Sequence, residues 1–109
     1  MSKGVLATVT WKIKPELVDT CLKTLREMFP TTRLKKGFRN IRLLRSEVDP
    51  TEFILVQEWD EVQDHQDYMQ FRAKTGDLAK LMAMTVSPPK IGYWSLEPLA
   101  AAGQPTGPQ

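Results

Sequence analysis

The sequence predicts an α+β fold with helices packed on one face of a four-stranded antiparallel sheet, and three observations carry that expectation. Hydrophobic periodicity switches between two and three-to-four residues in the order strand, helix, strand, strand, helix, short helix, strand. Asp49 and Pro50 lie between the second and third strands in a stretch with the composition of a tight turn, so those strands should pair as a hairpin. The 109 residues suffice for one domain with one core. This is the split βαβ order of a ferredoxin-like βαββαβ domain.

The first strand is expected over Val5 to Ile13, with Val5, Ala7, Val9, Trp11 and Ile13 on one face and Leu6, Thr8, Thr10 and Lys12 on the other. Pro15 presets a first helical turn and Glu16 suits the positive end of a helix dipole. The helix they open carries the stripe Val18, Cys21, Leu22, Leu25, Met28 and Phe29, and Pro30 is expected to stop it. Phe38 to Arg45 reads as a strand of mixed faces, with Phe38, Asn40, Arg42 and Leu44 on one side, which suits a sheet edge.

Glu52 to Trp59 is the third strand. Its run Phe53, Ile54, Leu55 and Val56 is apolar on both faces, as in a central strand covered on both sides, and Gln57 and Glu58 interrupt that run just before Trp59. Such a polar pair must be satisfied or in use. Asp60, with Gln63, is the expected cap of the next helix, where Val62, His65, Tyr68, Met69 and Arg72 share a face. Asp77 is the expected cap of a shorter helix with Leu78, Leu81 and Met82, and Lys90 to Leu96 is the last strand. The folded domain is expected over 1–97, followed by a Pro-, Gly- and Ala-rich tail at 98–109 with almost nothing to bury, expected to be disordered.

Composition narrows the function classes. Cys21 is the sole cysteine and His65 the sole histidine, so an intrachain disulfide is impossible and no typical zinc or iron ligand set exists; no metal and no cofactor are expected. Cys21 sits in an apolar stripe and reads as a small core residue. No apolar run approaches the roughly 20 residues of a membrane span, and Met1 to Lys14 lacks the pattern of a signal peptide, so no membrane partner and a cytoplasmic location are expected. The net charge is +2, with basic residues clustered from Arg33 to Arg45 and acidic ones from Glu47 to Asp67. Nucleic-acid binding would need exposed aromatics among the basic residues; only Phe38 lies there, so no nucleic acid is expected and the two faces should be solvated or mutually paired.

The element order, the DP turn followed by the FILVQEW strand, the helix after it, the glycine-interrupted short helix and the final aromatic strand together resemble the antibiotic biosynthesis monooxygenase family of dimeric α/β-barrel proteins, over about Val5 to Leu96. The resemblance implies a homodimer in which two sheets pack face to face, and a pocket between sheet and helices that takes a small hydrophobic or aromatic ligand. Apolar residues on both strand faces also ask for a second copy. The activity implied is oxygenation of an electron-rich phenol, quinol or polyketide-like aromatic without metal or flavin. Haem degradation in this family uses an asparagine on the first strand and a histidine further along the helix; here Thr8 and Thr10 occupy that strand and His65 follows Trp59 too closely.

Cofactor-free oxygenation needs a base, donors for an anion and dry apolar walls. Trp59 offers an indole N–H, His65 a base and Tyr68 a hydroxyl as candidate catalytic groups. Arg72, Thr8, Thr10 and Met69 are candidate substrate contacts, with Met82 and Met84 as further adaptable wall. Plainer readings stand beside these. Trp59 can be core with its N–H on a backbone carbonyl, His65 can be solvated or structural given its polar neighbours, and Tyr68 and Arg72 can lie at the surface. The alternatives are a homodimeric module that only binds a hydrophobic small molecule or serves as an assembly unit and, behind these, a haem-degrading monooxygenase.

Overall fold

The structure is a computed structural model and describes residues 3–99. Its strands are β1 (Val5–Lys12), β2 (Phe38–Arg45), β3 (Glu52–Trp59) and β4 (Lys90–Trp94); its helices are α1 (Val18–Thr32), α2 (Val62–Thr75) and α3 (Asp77–Met82). All pairings are antiparallel in the order β2-β3-β1-β4, which confirms the expected α+β class and sets β2 at an edge. The tail expected at 98–109 falls largely outside the described residues.

The register sorts the side chains. Val9 faces Leu55 across the ladder, Trp11 faces Phe53 and Ala7 faces Gln57, and these residues lie on the helix side. Val9, Trp11, Ile13 and Phe53 join Val18, Cys21, Leu81 and Met84 in the main core. A smaller cluster of Ala7, Trp59 and Tyr68 closes the other end of the sheet. On the opposite face Leu44, Ile54 and Trp94 are 49%, 36% and 58% exposed in the single chain. The strand expected to be covered on both sides is thus covered by this chain on one only.

Several local expectations are corrected. A register shift between Phe38 and Asn40 moves Phe38 to the helix side, opposite Trp59, while Asn40, Arg42 and Leu44 keep the other face. Pro15 opens a 3-10 turn, Pro15–Leu17, before the α-helix proper. Pro30 lies inside α1 rather than ending it. Its missing N–H would have bonded Arg26, and both residues are exposed, so water can satisfy the freed carbonyl. Meanwhile Thr32 Oγ1 donates to the Met28 carbonyl at 3.2 Å and holds the last turn.

The cap of α2 is Glu61, whose N–H is accepted by Asp64 Oδ2 at 3.2 Å, while Asp60 instead accepts from Arg39 Nε at 2.6 Å and Gln63 donates to Asp67. Asp77 is the first residue of α3, with Gly76 as N-cap at φ 86°. The basic and acidic segments meet through Arg39 with Asp60 and Glu58, and through Lys36 with Asp64. The first strand ends at Lys12 and the last at Trp94, each shorter than expected. Among the described residues no helix is long and apolar enough to cross a membrane.

Candidate functional site

Between the sheet and the helices lies a cavity of about 710 Å³. Strands contribute Val9, Trp11, Ile41, Leu43, Leu55 and Ile91 to its floor; α1 contributes Leu25, Met28 and Phe29; Leu78, Leu81, Met82, Pro88 and Pro89 complete the wall. Its volume is in the range of small-molecule sites, and such sites are apolar with a few placed polar groups. Here those groups are Gln57, Tyr68, Arg72, Thr32 and, from the exposed flank of α1, Arg26.

Arg72 is 5% exposed and makes four of its five possible N–H bonds within the protein: Nε to Tyr68 Oη at 2.9 Å, Nη1 to Asp77 Oδ2 at 2.8 Å, and Nη2 to the Met28 carbonyl at 2.9 Å and Thr32 Oγ1 at 3.1 Å. The guanidinium thus ties all three helices together beside the cavity. Tyr68 Oη lies 2.7 Å from Thr32 Oγ1. With Thr32 donating to Met28, proton bookkeeping has Tyr68 donate to Thr32, and the network closes on itself. Sequence reasoning missed Thr32, because Pro30 placed it in a loop.

Trp59 and His65 stand behind the cavity rather than in its wall. Trp59 is fully buried, with Phe38, Tyr68 and His65 rings at 5.4, 5.3 and 5.9 Å. Its indole N–H goes not to a backbone carbonyl but to Gln57 Oε1, at 2.9 Å. His65 is fully buried, not solvated, because helical spacing puts it on the face of Tyr68 and Arg72 while its polar neighbours Gln66 and Asp67 point outward. Nδ1 lies 2.8 Å from Tyr93 Oη, and Nε2 is sealed off without a partner. Burial pushes its pKa from 6.5 down to about 4, so the ring is neutral at pH 7.

Met69 lines the cavity as expected of a contact residue, and so does Met82, whereas Met84 is core. Thr8 and Thr10 lie on the sheet face away from the cavity, paired with Val56 and Ile54. There Thr8 Oγ1 accepts from Trp94 Nε1 at 2.8 Å. Gly92 permits that arrangement, since a Cβ would meet Trp94 and Thr8. Cys21 is buried and its thiol pKa raised by desolvation, in keeping with a core residue. Among the described residues no group of three or more His, Cys, Asp or Glu could hold a metal ion.

Comparisons with known proteins agree with this architecture. No curated protein matches the sequence. Among solved structures, a conserved protein from Methanosarcina mazei Go1 superposes with TM-score 0.79 at 11% identity, covering 88% of this chain and 95% of that one. An antibiotic biosynthesis monooxygenase superposes at 0.77 with 20% identity, covering 86% and 99%. Rv0793 from Mycobacterium tuberculosis superposes at 0.73 with 18% identity, covering 92% and 99%. At these identities the likeness shows the fold. The model of the antibiotic biosynthesis monooxygenase family matches residues 4–73, from β1 through the helix that carries His65, Tyr68 and Arg72, and the chain belongs to that family.

Proposed function

We propose that the protein is a homodimeric, cofactor-independent monooxygenase acting on an electron-rich aromatic, a phenol, quinol or polyketide-like compound, held in the sheet–helix cavity. The observation that carries the reading is the cavity itself, apolar around a few convergent polar groups. A bound phenol, which in its keto tautomer carries a ring CH2, would lose a proton to solvent water, and the anion would pass an electron to dioxygen. One oxygen atom would enter the ring carbon as a carbonyl and the other would leave as water, so that CH2 plus O2 gives C=O plus H2O. The walls would keep the radical pair dry. Tyr68 lies at the polar end with Trp59 behind it, and Arg72, four of whose five N–H groups are held within the protein, contributes chiefly its fixed positive charge.

One observation favours a second reading, a non-catalytic binding module. His65 is sealed from the cavity and its pKa is about 4, so it is poorly placed to accept a ligand's proton. Oxygen uptake with a panel of hydroquinones and anthrones separates the two. Consumption above background that falls in Trp59→Phe supports the oxygenase; binding without consumption leaves the module. A haem titration without a Soret shift excludes haem degradation. The dimer is supported by Leu44, Ile54 and Trp94 on the uncovered sheet face, and a sedimentation experiment giving only monomer at micromolar concentration would refute it.

A further inference from the structure

Gln57 is 2% exposed, lines the cavity, and sits on the strand face shared with Trp59 two residues on. An indole nitrogen can only donate, so the atom facing Trp59 Nε1 at 2.9 Å is the carboxamide oxygen, and the amide nitrogen is the outward end. The fully buried Trp59, packed by three rings, fixes that orientation. Gln57 Nε2 makes no hydrogen bond among the described residues, and it is not one of the two sealed orphans, Trp11 Nε1 and His65 Nε2. Nε2 therefore keeps a little surface on a residue that lines the cavity, and a nearly buried amide donor without an acceptor is a cost that a ligand atom can remove.

We propose that Gln57 is the orienting donor of the cavity, held by Trp59 as a positioning residue, and that it selects flat apolar ligands carrying a carbonyl or phenolate oxygen over those presenting a hydrocarbon edge at that point. This rests on the reading of the cavity as a ligand site. Trp59, outside the cavity wall, then acts on a ligand only through Gln57. The neighbouring hydroxyls do not compete for the role, since Tyr68 spends its proton on Thr32 and Thr32 spends its own on the Met28 carbonyl.

The test is isothermal titration calorimetry of the whole protein with fluorenone and fluorene, which share a flat three-ring body and differ in the carbonyl. Wild type should bind the ketone about three- to tenfold more tightly, the worth of one hydrogen bond. Gln57→Leu should erase that preference by weakening the ketone alone. Gln57→Glu keeps an acceptor for Trp59, and once its buried carboxyl is ionised at high pH it puts an acceptor where the amide donor was, so the ketone preference should fall as pH rises. Trp59→Phe should shrink the preference. Equal affinities in wild type, or an undiminished ketone preference in Gln57→Leu, would overturn the role of Gln57 and leave the cavity reading standing. Binding of neither compound would overturn both.

Discussion

Lowering the pH from 7 to 5 should remove about 2 kcal/mol of folding stability through His65 alone. The imidazole ordinarily titrates near 6.5, and burial in the fold holds it near 4. Its folded pKa is depressed, so the unfolded chain binds the proton more readily throughout the window between those values. Stability from this group is full above 6.5, declines as pH falls, and has lost about 3 kcal/mol once pH reaches 4. Burial is the cause, and the sealed Nε2 sharpens it, since the charged ring carries an N–H on both nitrogens and the one at Nε2 would have no partner. Urea unfolding at pH 7 and 5 reads the effect directly. His65→Gln serves as the reference, because it removes the titration and leaves the carboxylates unchanged. His65 is the sole histidine, so one ring resonance in a proton NMR titration reports it without assignment ambiguity. A midpoint near 6.5, or equal pH dependence in wild type and His65→Gln, would refute the reasoning.

Four further outcomes are expected. Arg72→Met should destabilise by about 3 kcal/mol in urea unfolding, because it leaves Asp77 without its cation and opens the Tyr68–Thr32 network; a loss under about 1 kcal/mol would mean the network is redundant. Gly37→Ala should cost clearly more than Gly76→Ala. Both glycines have positive φ, 83° and 86°, but a Cβ at Gly37 would meet the Asp64 carboxylate while Gly76 faces open space, so thermal melts should show about 1 kcal/mol at Gly76 and more at Gly37. Asp49, whose carboxyl bonds Thr51 and Lys12 and titrates near 2 instead of 3.8, should make the β2–β3 turn lose stability as pH falls from about 4 through 2, a slope absent in Asp49→Asn. Ile54→Lys, placed on the uncovered sheet face, should shift the sedimentation profile toward monomer while circular dichroism stays unchanged.

Most of the fold was legible because strands and helices of this size are written in local periodicity. The alternation of Val5 to Lys12, the Asp49–Pro50 turn and the glycine at 76 each act within a few residues, and each element they predict is present. The departures arise where tertiary contacts outvote local signals. Pro30 should end α1, yet Thr32 and Arg72 both reach the Met28 carbonyl and extend it. Asp60 is the better isolated cap, yet Arg39 from the neighbouring strand claims it. The bulge after Phe38 leaves no mark in a mixed strand, since either face could take an arginine.

The candidate site was less legible because a residue's chemistry depends on which way two atoms of one side chain point. Helical spacing placed His65, Tyr68 and Arg72 on one face, but the sequence holds no sign that Arg72 is tied to α1 and α3 or that His65 lies behind Trp59. Gln57 did announce itself, as a polar residue interrupting an apolar strand one step before Glu58. The period of two decides between them. Gln57 falls on the helix side with Leu55 and Trp59, and Glu58 on the far side opposite Asn40 and Leu6, where it lies 3.6 Å from Arg39. Of two adjacent polar residues, then, one closes a surface ion pair and the other is shut into an apolar wall with its oxygen taken and its nitrogen free. The pleat alone converts a sequence that looks like a solvated pair into one surface charge and one buried donor at the cavity floor.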